Sequence, residues 1–267
     1  MDGPGSELLQ FCSRGMFIDI HDDLYIADTC NHRVMKYPLY GWPSIVAGTT
    51  GINGSSSTLL NRPSKVSVDY NQNIYVGDAG NYRVQRFPRG SKEGTTVAGT
   101  GVPGFASNTM FWMNGMYLDA KQNLLYLADG NNQRVVVWRS TGGFNNSLYV
   151  ITVRGSPEDV NVDEEGNVFV LDFFDTLFKY PPGSNVSTDI SSDFQIPRAM
   201  KLDGRGNFLV AQQMNGVIKM FSLADANATG DIILSHLDDP VDIAFDSSYN
   251  LYVLESGRNW VKRFDKL

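Results

Sequence analysis

The stretch DYNQNIYVGDAGNYRV at residues 69–84 decides the fold, because close variants of it recur along the chain. Asp69 is followed four positions later by Asn73 and nine positions later by Asp78. The strand-forming residues 74–76 lie between these polar positions. Two short strands joined by a polar turn, with a Gly/Asn turn after the second strand, are typical of a β-meander.

Six such units follow one another at intervals of 40 to 51 residues. Their first acids are Asp19, Asp69, Asp119, Asp163, Asp203 and Asp246, and their second polar anchors are Asp28, Asp78, Asp129, Asp172, Gln212 and Glu255. The units span residues 19–37, 69–87, 119–138, 163–180, 203–221 and 246–264. A unit this small cannot bury its own faces, so repetition at this period predicts one domain, residues 1–267. The predicted fold is an all-β, six-bladed β-propeller of four-stranded antiparallel blades.

The two ends of the chain bear on how the ring closes. The last unit ends just after its third strand, residues 260–264, and an open sheet edge is a liability. Leu8 and Leu9 form a short apolar pair that belongs to no repeat. We therefore expect the N-terminal segment to supply the missing outer strand of the last blade.

Composition and charge narrow the function classes. The chain has 22 basic and 29 acidic side chains and a net charge of −7, which disfavours binding to a nucleic-acid backbone. No apolar run approaches the ~18 residues that span a bilayer, and no apolar signal core stands at the N-terminus. We expect a monomeric domain that is either cytoplasmic or an extracellular piece of a longer protein.

Three units carry a more specific signature after the second anchor. Asn31-His32-Arg33, Asn81-Tyr82-Arg83 and Asn132-Gln133-Arg134 resemble the Asn-His-Arg/Leu signature of NHL repeats. The resemblance covers about residues 12–267 and implies a six-bladed propeller that binds proteins or, in some members, RNA. Units four to six depart from the pattern, with Asp175/Leu177, Asn215/Val217 and Arg258/Trp260 in place of Asn/Arg.

The repeated polar residues favour a structural interpretation over a catalytic one. Asp and Asn bind local backbone groups in turns, and an Arg can pair with the repeat Asp across the same hairpin. A catalytic residue is needed only once in an active site, whereas residues that recur in each repeat usually stabilise the packing of neighbouring repeats. We expect Arg83 to pair with Asp78 or with a neighbouring blade.

Signals for a metal site are weak. The three histidines are His21, His32 and His236, and the repeat phase places the first two on opposite faces of the disc. A zinc hydrolase or lyase, such as the amidating lyases among similar propellers, needs converging imidazoles. An oxygen-rich calcium site could form from Glu158, Asp159 and Asp242 at the starts of inner strands. We otherwise expect no cofactor.

Covalent modifications are a separate question. Cys12 and Cys30 fall on one face of the first blade, so they form either a disulfide or two free thiols. Candidate glycosylation acceptors lie in loops between repeats, at Asn53, Asn145, Asn185 and Asn227.

The repeat also indicates where a ligand binds. One face of the disc carries the starts of the inner strands and the turns between second and third strands, and its residues vary from unit to unit. We call it the variable face, because function tends to use variable loops on a rigid scaffold. Its candidate binding residues are Arg14, Lys65, Glu158, Asp159, Arg198, Asp242, His32, Tyr82, Phe173 and Phe174.

Three function classes remain open from the sequence. A protein- or peptide-binding scaffold is favoured, by analogy of fold. A metal-dependent hydrolase or lyase centred on the channel is the second class. The third is an RNA-binding or substrate-recognising propeller of a ubiquitin-ligase-like protein, whose basic face is poorly supplied here.

Overall fold

The computed structural model describes residues 12–141, 147–223 and 229–266. It contains six antiparallel sheets, five with four strands and one with three described strands. The strands within each sheet are neighbours in sequence, so every sheet is a meander. The expected all-β, six-bladed propeller is confirmed.

The first three blades contain the strands β1 (Gly15–Ile18), β2 (Leu24–Asp28), β3 (Arg33–Tyr37), β4 (Ser44–Gly48), β5 (Lys65–Val68), β6 (Ile74–Asp78), β7 (Arg83–Phe87), β8 (Thr95–Ala98), β9 (Met113–Asp119), β10 (Leu124–Asp129), β11 (Arg134–Arg139) and β12 (Tyr149–Thr152). Each of these blades has one 3-10 turn between its second and third strands, at Thr29–Asn31, Ala79–Asn81 and Gly130–Asn132.

The last three blades contain β13 (Pro157–Val162), β14 (Val168–Asp172), β15 (Leu177–Tyr180), β16 (Thr188–Ser191), β17 (Pro197–Leu202), β18 (Asn207–Gln212), β19 (Val217–Ser222), β20 (Asp231–Leu234), β21 (Pro240–Phe245), β22 (Leu251–Glu255) and β23 (Trp260–Phe264). The predicted outer strand at residues 8–9 lies outside the described residues, so closure by the N-terminal segment stays a prediction.

The innermost strands form the ring. Each one contacts the innermost strand of the next blade, in the order β1, β5, β9, β13, β17 and β21, and β21 contacts β1 again. Six apolar clusters lie between adjacent blades rather than within one blade. In the cluster between the first two blades, for example, Tyr25 and Val34 pack with Val66 and Val76. Burial of sheet faces against neighbouring sheets therefore holds the propeller together.

The Asp-x-x-x-Asn segments are turns between the first and second strands. The Asp69 carboxylate accepts hydrogen bonds from the backbone N–H groups of Asn71 (3.0 Å) and Asn73 (2.8 Å). Its second oxygen accepts from the Asn73 amide at 2.7 Å and from the Tyr75 hydroxyl at 3.2 Å. The same Asp–Asn contacts occur at Asp163, Asp203 and Asp246, which explains why both positions repeat.

The second anchor is a buried carboxylate that organises a loop. Asp78 accepts from Arg83 Nε at 2.8 Å, from the Asn81 amide at 2.8 Å and from the backbone N–H of Asn61 at 2.6 Å. The Arg83 guanidinium also donates to the carbonyl oxygens of Ser55, Ser56 and Leu59. The expected Arg83–Asp78 pair is present, and it ties the loop between the first two blades to the second blade.

Arg134 repeats this arrangement in the third blade. It pairs with Asp129 at 2.9 Å and donates to the carbonyl oxygens of Phe105, Ala106 and Thr109. In the sixth blade, Trp260 takes the position of the Arg, and its indole N–H donates to Glu255 at 2.9 Å. A divergent unit thus keeps the donor–acceptor pair with different side chains.

The seam between the last and first blades is held by side chains on both faces. Asp242 accepts from the backbone N–H of Met16 at 2.9 Å and from Lys65 Nζ at 3.2 Å, so it joins three blades. On the opposite face, Asp22 accepts from the backbone N–H and the hydroxyl of Ser247, both at 2.7 Å.

Cys12 and Cys30 form a disulfide, with 5.9 Å between their Cα atoms. Of the two alternatives that the sequence left open, the structure has the bonded one. The bridge fastens the segment before β1, at Cys12, to the 3-10 turn after β2.

Substitution of Arg83 tests the structural role of the second anchor. Arg83→Ala should lower the free energy of unfolding by about 3 kcal/mol, because it leaves Asp78 buried without its cation and three loop carbonyls without a donor. Urea denaturation measures the change. The control is Arg89→Ala, an exposed Arg of the same blade, which should unfold like the parent. Equal stability of the Arg83 and Arg89 variants would contradict this role.

The disulfide gives a second stability prediction. Cys12→Ser with Cys30→Ser should cost about 3 kcal/mol, because the cross-link closes a loop of 18 residues in the unfolded chain. Denaturation of the parent under reducing conditions should give the same loss. If oxidised and reduced protein have the same midpoint, the bridge does not contribute to stability.

Candidate functional site

A cavity of about 220 Å³ opens at the ring axis on the variable face. It is lined by Cys12, Ser13, Arg14, Lys65, Asn114, Glu158, Arg198, Gln213, Asp239, Val241 and Ser256. The cavity therefore draws together four of the predicted binding residues, namely Arg14, Lys65, Glu158 and Arg198. Asp159 and Asp242 are buried in the same network, whereas His32, Tyr82, Phe173 and Phe174 lie outside the lining.

Local backbone geometry directs these side chains to the axis. The pairing of inner and second strands shifts register at the starts of β13, β17 and β21, next to Glu158, Arg198 and Val241. Such bulges re-aim side chains. In the first blade the corresponding strand starts with Gly15, where a Cβ atom would lie 2.4 Å from the Ser64 carbonyl oxygen. Glycine is needed there because two inner strands approach closely.

The deepest charged pair of this cavity is Lys65 with Asp242. Their atoms are 3.2 Å apart, and both side chains are less than a tenth exposed. Burial acts to lower the pKa of the Lys65 ammonium, but the carboxylates of Asp242 and Asp159 outweigh it and raise that pKa. Asp159 also accepts from the backbone N–H of Met200 at 2.9 Å. This pair crosses the ring and keeps Lys65 charged.

A second pair lies nearer the surface. Arg198 Nη1 donates to Glu158 Oε1 at 2.8 Å, and its Nε donates to the Gln213 side chain. Burial raises the pKa of the Glu158 carboxyl, although Arg198 opposes that shift. Gln213 in turn donates to Asp239. The wall formed by the last three blades is thus a continuous polar network.

Aromatic side chains adjoin this network. The guanidinium of Arg198 lies over the Phe173 ring, 5.4 Å from its centroid. Phe173 contacts Phe174 edge to face at 5.6 Å between centroids, and Phe174 is 68% exposed. On the next blade, Met214 occupies the corresponding turn and is 71% exposed. The variable face therefore offers an apolar rim beside a charged cavity.

His32 and Tyr82 have a structural role in their turns. Both have left-handed backbone angles, with φ of 56° and 52°, and end the 3-10 turns of their blades. The His32 Nδ1 atom accepts from the backbone N–H of Arg62 at 3.1 Å. Burial and the nearby Arg62 lower the pKa of His32. His32 is consequently held as a neutral acceptor between two blades.

The predicted calcium ligands have protein partners. Glu158 is bound by Arg198, Asp159 by a backbone N–H, and Asp242 by Lys65. Within residues 12–141, 147–223 and 229–266, no group of three or more His, Cys, Asp or Glu side chains could hold a metal ion. The geometry adds no support to a calcium site.

A larger cavity of about 1,090 Å³ opens on the opposite face. Apolar side chains such as Phe17, Tyr117 and Phe245 line it, and the turn carboxylates, including Asp69 and Asp163, lie around it. Sequence reasoning did not anticipate this cavity, because its acids are the stereotyped residues of the Asp-x-x-x-Asn turns.

Several residues of the variable-face cavity were also missed. Ser13, Asn114, Gln213, Asp239 and Ser256 line it but are not anchors of the repeat. Asn114 carried a usable signal, since it stands at the start of an inner strand. Gln213 and Ser256 directly follow the second anchors of their blades. This position indicates the cavity only when the structure shows that the residue after the anchor lies on the variable face.

The glycosylation candidates divide into two groups. Asn53 and Asn185 are exposed, and Asn145 and Asn227 lie outside the described residues. Modification of all four stays a prediction. In the part of the chain with described structure, no helix is long and apolar enough to cross a membrane.

Comparisons with known proteins agree on the fold. A streptogramin B lyase structure superposes with a TM-score of 0.68 at 10% identity, over 91% of this chain and 76% of that one. A catalytically inactive virginiamycin B lyase from Staphylococcus aureus with quinupristin has a TM-score of 0.69 at 8% identity, over 99% and 87%. A protein of unknown function from Bacteroides thetaiotaomicron has a TM-score of 0.69 at 13% identity, over 97% and 70%. Identities this low show a shared fold alone.

Sequence comparison is more restricted. No curated protein matches the chain. The NHL repeat family matches residues 60–87, which contain the stretch that reveals the period. The chain is therefore a six-bladed β-propeller with an NHL repeat in its second blade.

Proposed function

We propose that this propeller is a protein- or peptide-binding module and that its contact surface is the variable face. The observation that carries the proposal is the Phe173–Phe174 pair beside the charged cavity. Phe174 is 68% exposed, whereas the corresponding turns of the other blades hold small or polar residues, apart from Met214 in the fifth blade. Aromatic side chains, Phe among them, are enriched at protein interfaces relative to the rest of the surface.

The surroundings of the aromatic pair support the same function. Phe173 is supported by Arg198, which is itself bound to Glu158, so the anchor is held in place before binding. Exposed Met214 extends the apolar rim to the next blade. An apolar rim around a polar cavity can bind an extended segment and fix its orientation through one inserted side chain.

The alternatives have less support. A nucleic-acid partner requires a basic surface, and the cationic side chains of Lys65 and Arg198 are neutralised by Asp242 and Glu158. For a hydrolase or lyase, the described lining of the 220 Å³ cavity contains no histidine, and its Ser256 hydroxyl donates to the Asp239 carboxylate, which also accepts from Gln213. The likeness to lyases is a likeness of fold.

The aromatic pair provides the test. Phe173→Ala with Phe174→Ala should weaken binding of peptides selected from a random library by at least tenfold, or ~1.4 kcal/mol. Biolayer interferometry measures the affinities. The matched control is Tyr40→Ala with Trp42→Ala, which removes two exposed aromatics from the β3–β4 loop on the opposite face and should leave binding unchanged.

Three results would overturn the proposal. The first is equal affinity of the two double variants. The second is submicromolar RNA binding at physiological salt. The third is a metal-dependent turnover that is lost in Asp159→Ala.

A further inference from the structure

Three cations line the cavity on the variable face, and two of them are already engaged. Lys65 is bound to Asp242, and Arg198 is bound to Glu158 and Gln213. Arg14 is different. Its side chain is exposed, and among the described residues no oxygen accepts a hydrogen bond from its guanidinium. Its five N–H donors are therefore available to a ligand.

A second group in the same cavity lacks a partner. Ser13 is completely buried, and its hydroxyl has no hydrogen-bond partner within the described part of the chain. Buried polar groups are usually hydrogen-bonded, so an orphan hydroxyl at a cavity calls for an explanation. Ser13 takes the position that Pro occupies in four other blades, next to Arg14.

The electrostatic surroundings of Arg14 favour an anion. Arg14 is exposed at the surface, yet partial desolvation of its guanidinium and the neighbouring Arg198 and Arg62 lower its pKa, which Glu158 and Asp239 only partly offset. A carboxylate that binds between Arg14 and Ser13 would relieve the repulsion between the two guanidinium groups. It would also supply the acceptor that both groups lack, because Arg and carboxylate groups pair through parallel hydrogen bonds.

We propose that Arg14 and Ser13 form a carboxylate-binding site at the ring axis, which takes the C-terminal or side-chain carboxylate of a bound peptide. The site rests on the proposed function for the identity of its ligand, but not for its preference for carboxylates. The volume of about 220 Å³ suits one side chain or terminal residue. Glu158 and Asp239 on the facing wall disfavour a more highly charged phosphate group.

Small matched probes test the site without a known peptide. N-acetylglycine carries a terminal carboxylate, N-acetylglycinamide is its neutral counterpart, and the α-amide of N-acetylglutamate carries a side-chain carboxylate. Each is titrated into the ¹⁵N-labelled protein, and the backbone resonances of Ser13 and Gly15 are followed. We expect saturable shifts with one or both carboxylate probes and none with the amide. The stronger probe identifies the source of the carboxylate.

Variants then assign the contacts. Arg14→Gln should weaken carboxylate binding at least tenfold. Ser13→Ala should weaken it several-fold without lowering the unfolding midpoint, because the hydroxyl makes no hydrogen bond in the free protein. Arg89→Gln removes an exposed Arg from the β7–β8 loop that does not line the cavity, and it should bind like the parent.

The outcomes separate the two proposals. Equal shifts with N-acetylglycine and N-acetylglycinamide, or an equal loss in the Arg14 and Arg89 variants, would overturn the carboxylate site. Selected peptides could still bind through Phe173 and Phe174 in that case. Conversely, carboxylate-dependent shifts with no peptide bound at the variable face would leave the site standing and reject the peptide-binding function.

Discussion

The structure depends on one constraint, which is that the loops between blades must have their carbonyl groups satisfied where they pass over buried sheet. A guanidinium meets this need with several donors in one rigid fork. The buried Asp78 carboxylate holds the Arg83 guanidinium in place, and Arg83 donates to three carbonyl oxygens of the loop between the first two blades. Because the pair lies at the end of the second strand, the same residues fix both the turn within a blade and the spacing to the previous blade.

In the blades that lack the Arg of this pair, the turns on the variable face differ from those of the first three blades. The described residues of blades four to six have no Arg at this position, and their second anchors are Asp172, Gln212 and Glu255. Glu255 keeps a donor through Trp260. Asp172 instead accepts from the backbone N–H of Phe174 at 3.1 Å, which holds the aromatic turn. Loss of the repeat signature in these blades therefore coincides with the appearance of exposed apolar side chains and a polar wall at the axis.

The repeat predicted the fold well because its acids bind local backbone, and local hydrogen bonds are encoded in spacing. The strand pattern follows from the period, which also placed Arg83 near Asp78 and Cys12 on the same face as Cys30. The structure was needed to choose the Asp78 partner for Arg83 and the bonded form of the cysteines. The site was predicted less completely. The sequence predicted the cavity residues that lie at the starts of inner strands, namely Arg14, Lys65, Glu158 and Arg198. It did not predict Gln213 and Asp239, which line the cavity because of how the blades pack together. Whether a cation is neutralised depends on distances between blades, as for Lys65 and Asp242. The spacing of residues within one repeat does not predict such distances.

The two hydrogen-bonded contacts at the seam, Asp242 with Met16 and Asp22 with Ser247, have a consequence for how the ring forms. Each meander assembles from strands adjacent in sequence, but Met16 and Asp242 are 226 residues apart, and Asp22 and Ser247 are 225 apart. Joining segments so far apart costs more loop-closure entropy than pairing adjacent strands does, although this cost grows only slowly with separation. We infer that the seam closes after the blades have formed, an order that native-state hydrogen exchange can read. A linear array of repeats can fray at either end. In this ring the two terminal blades contact each other through β1 and β21, so neither can separate from its neighbours without breaking the seam.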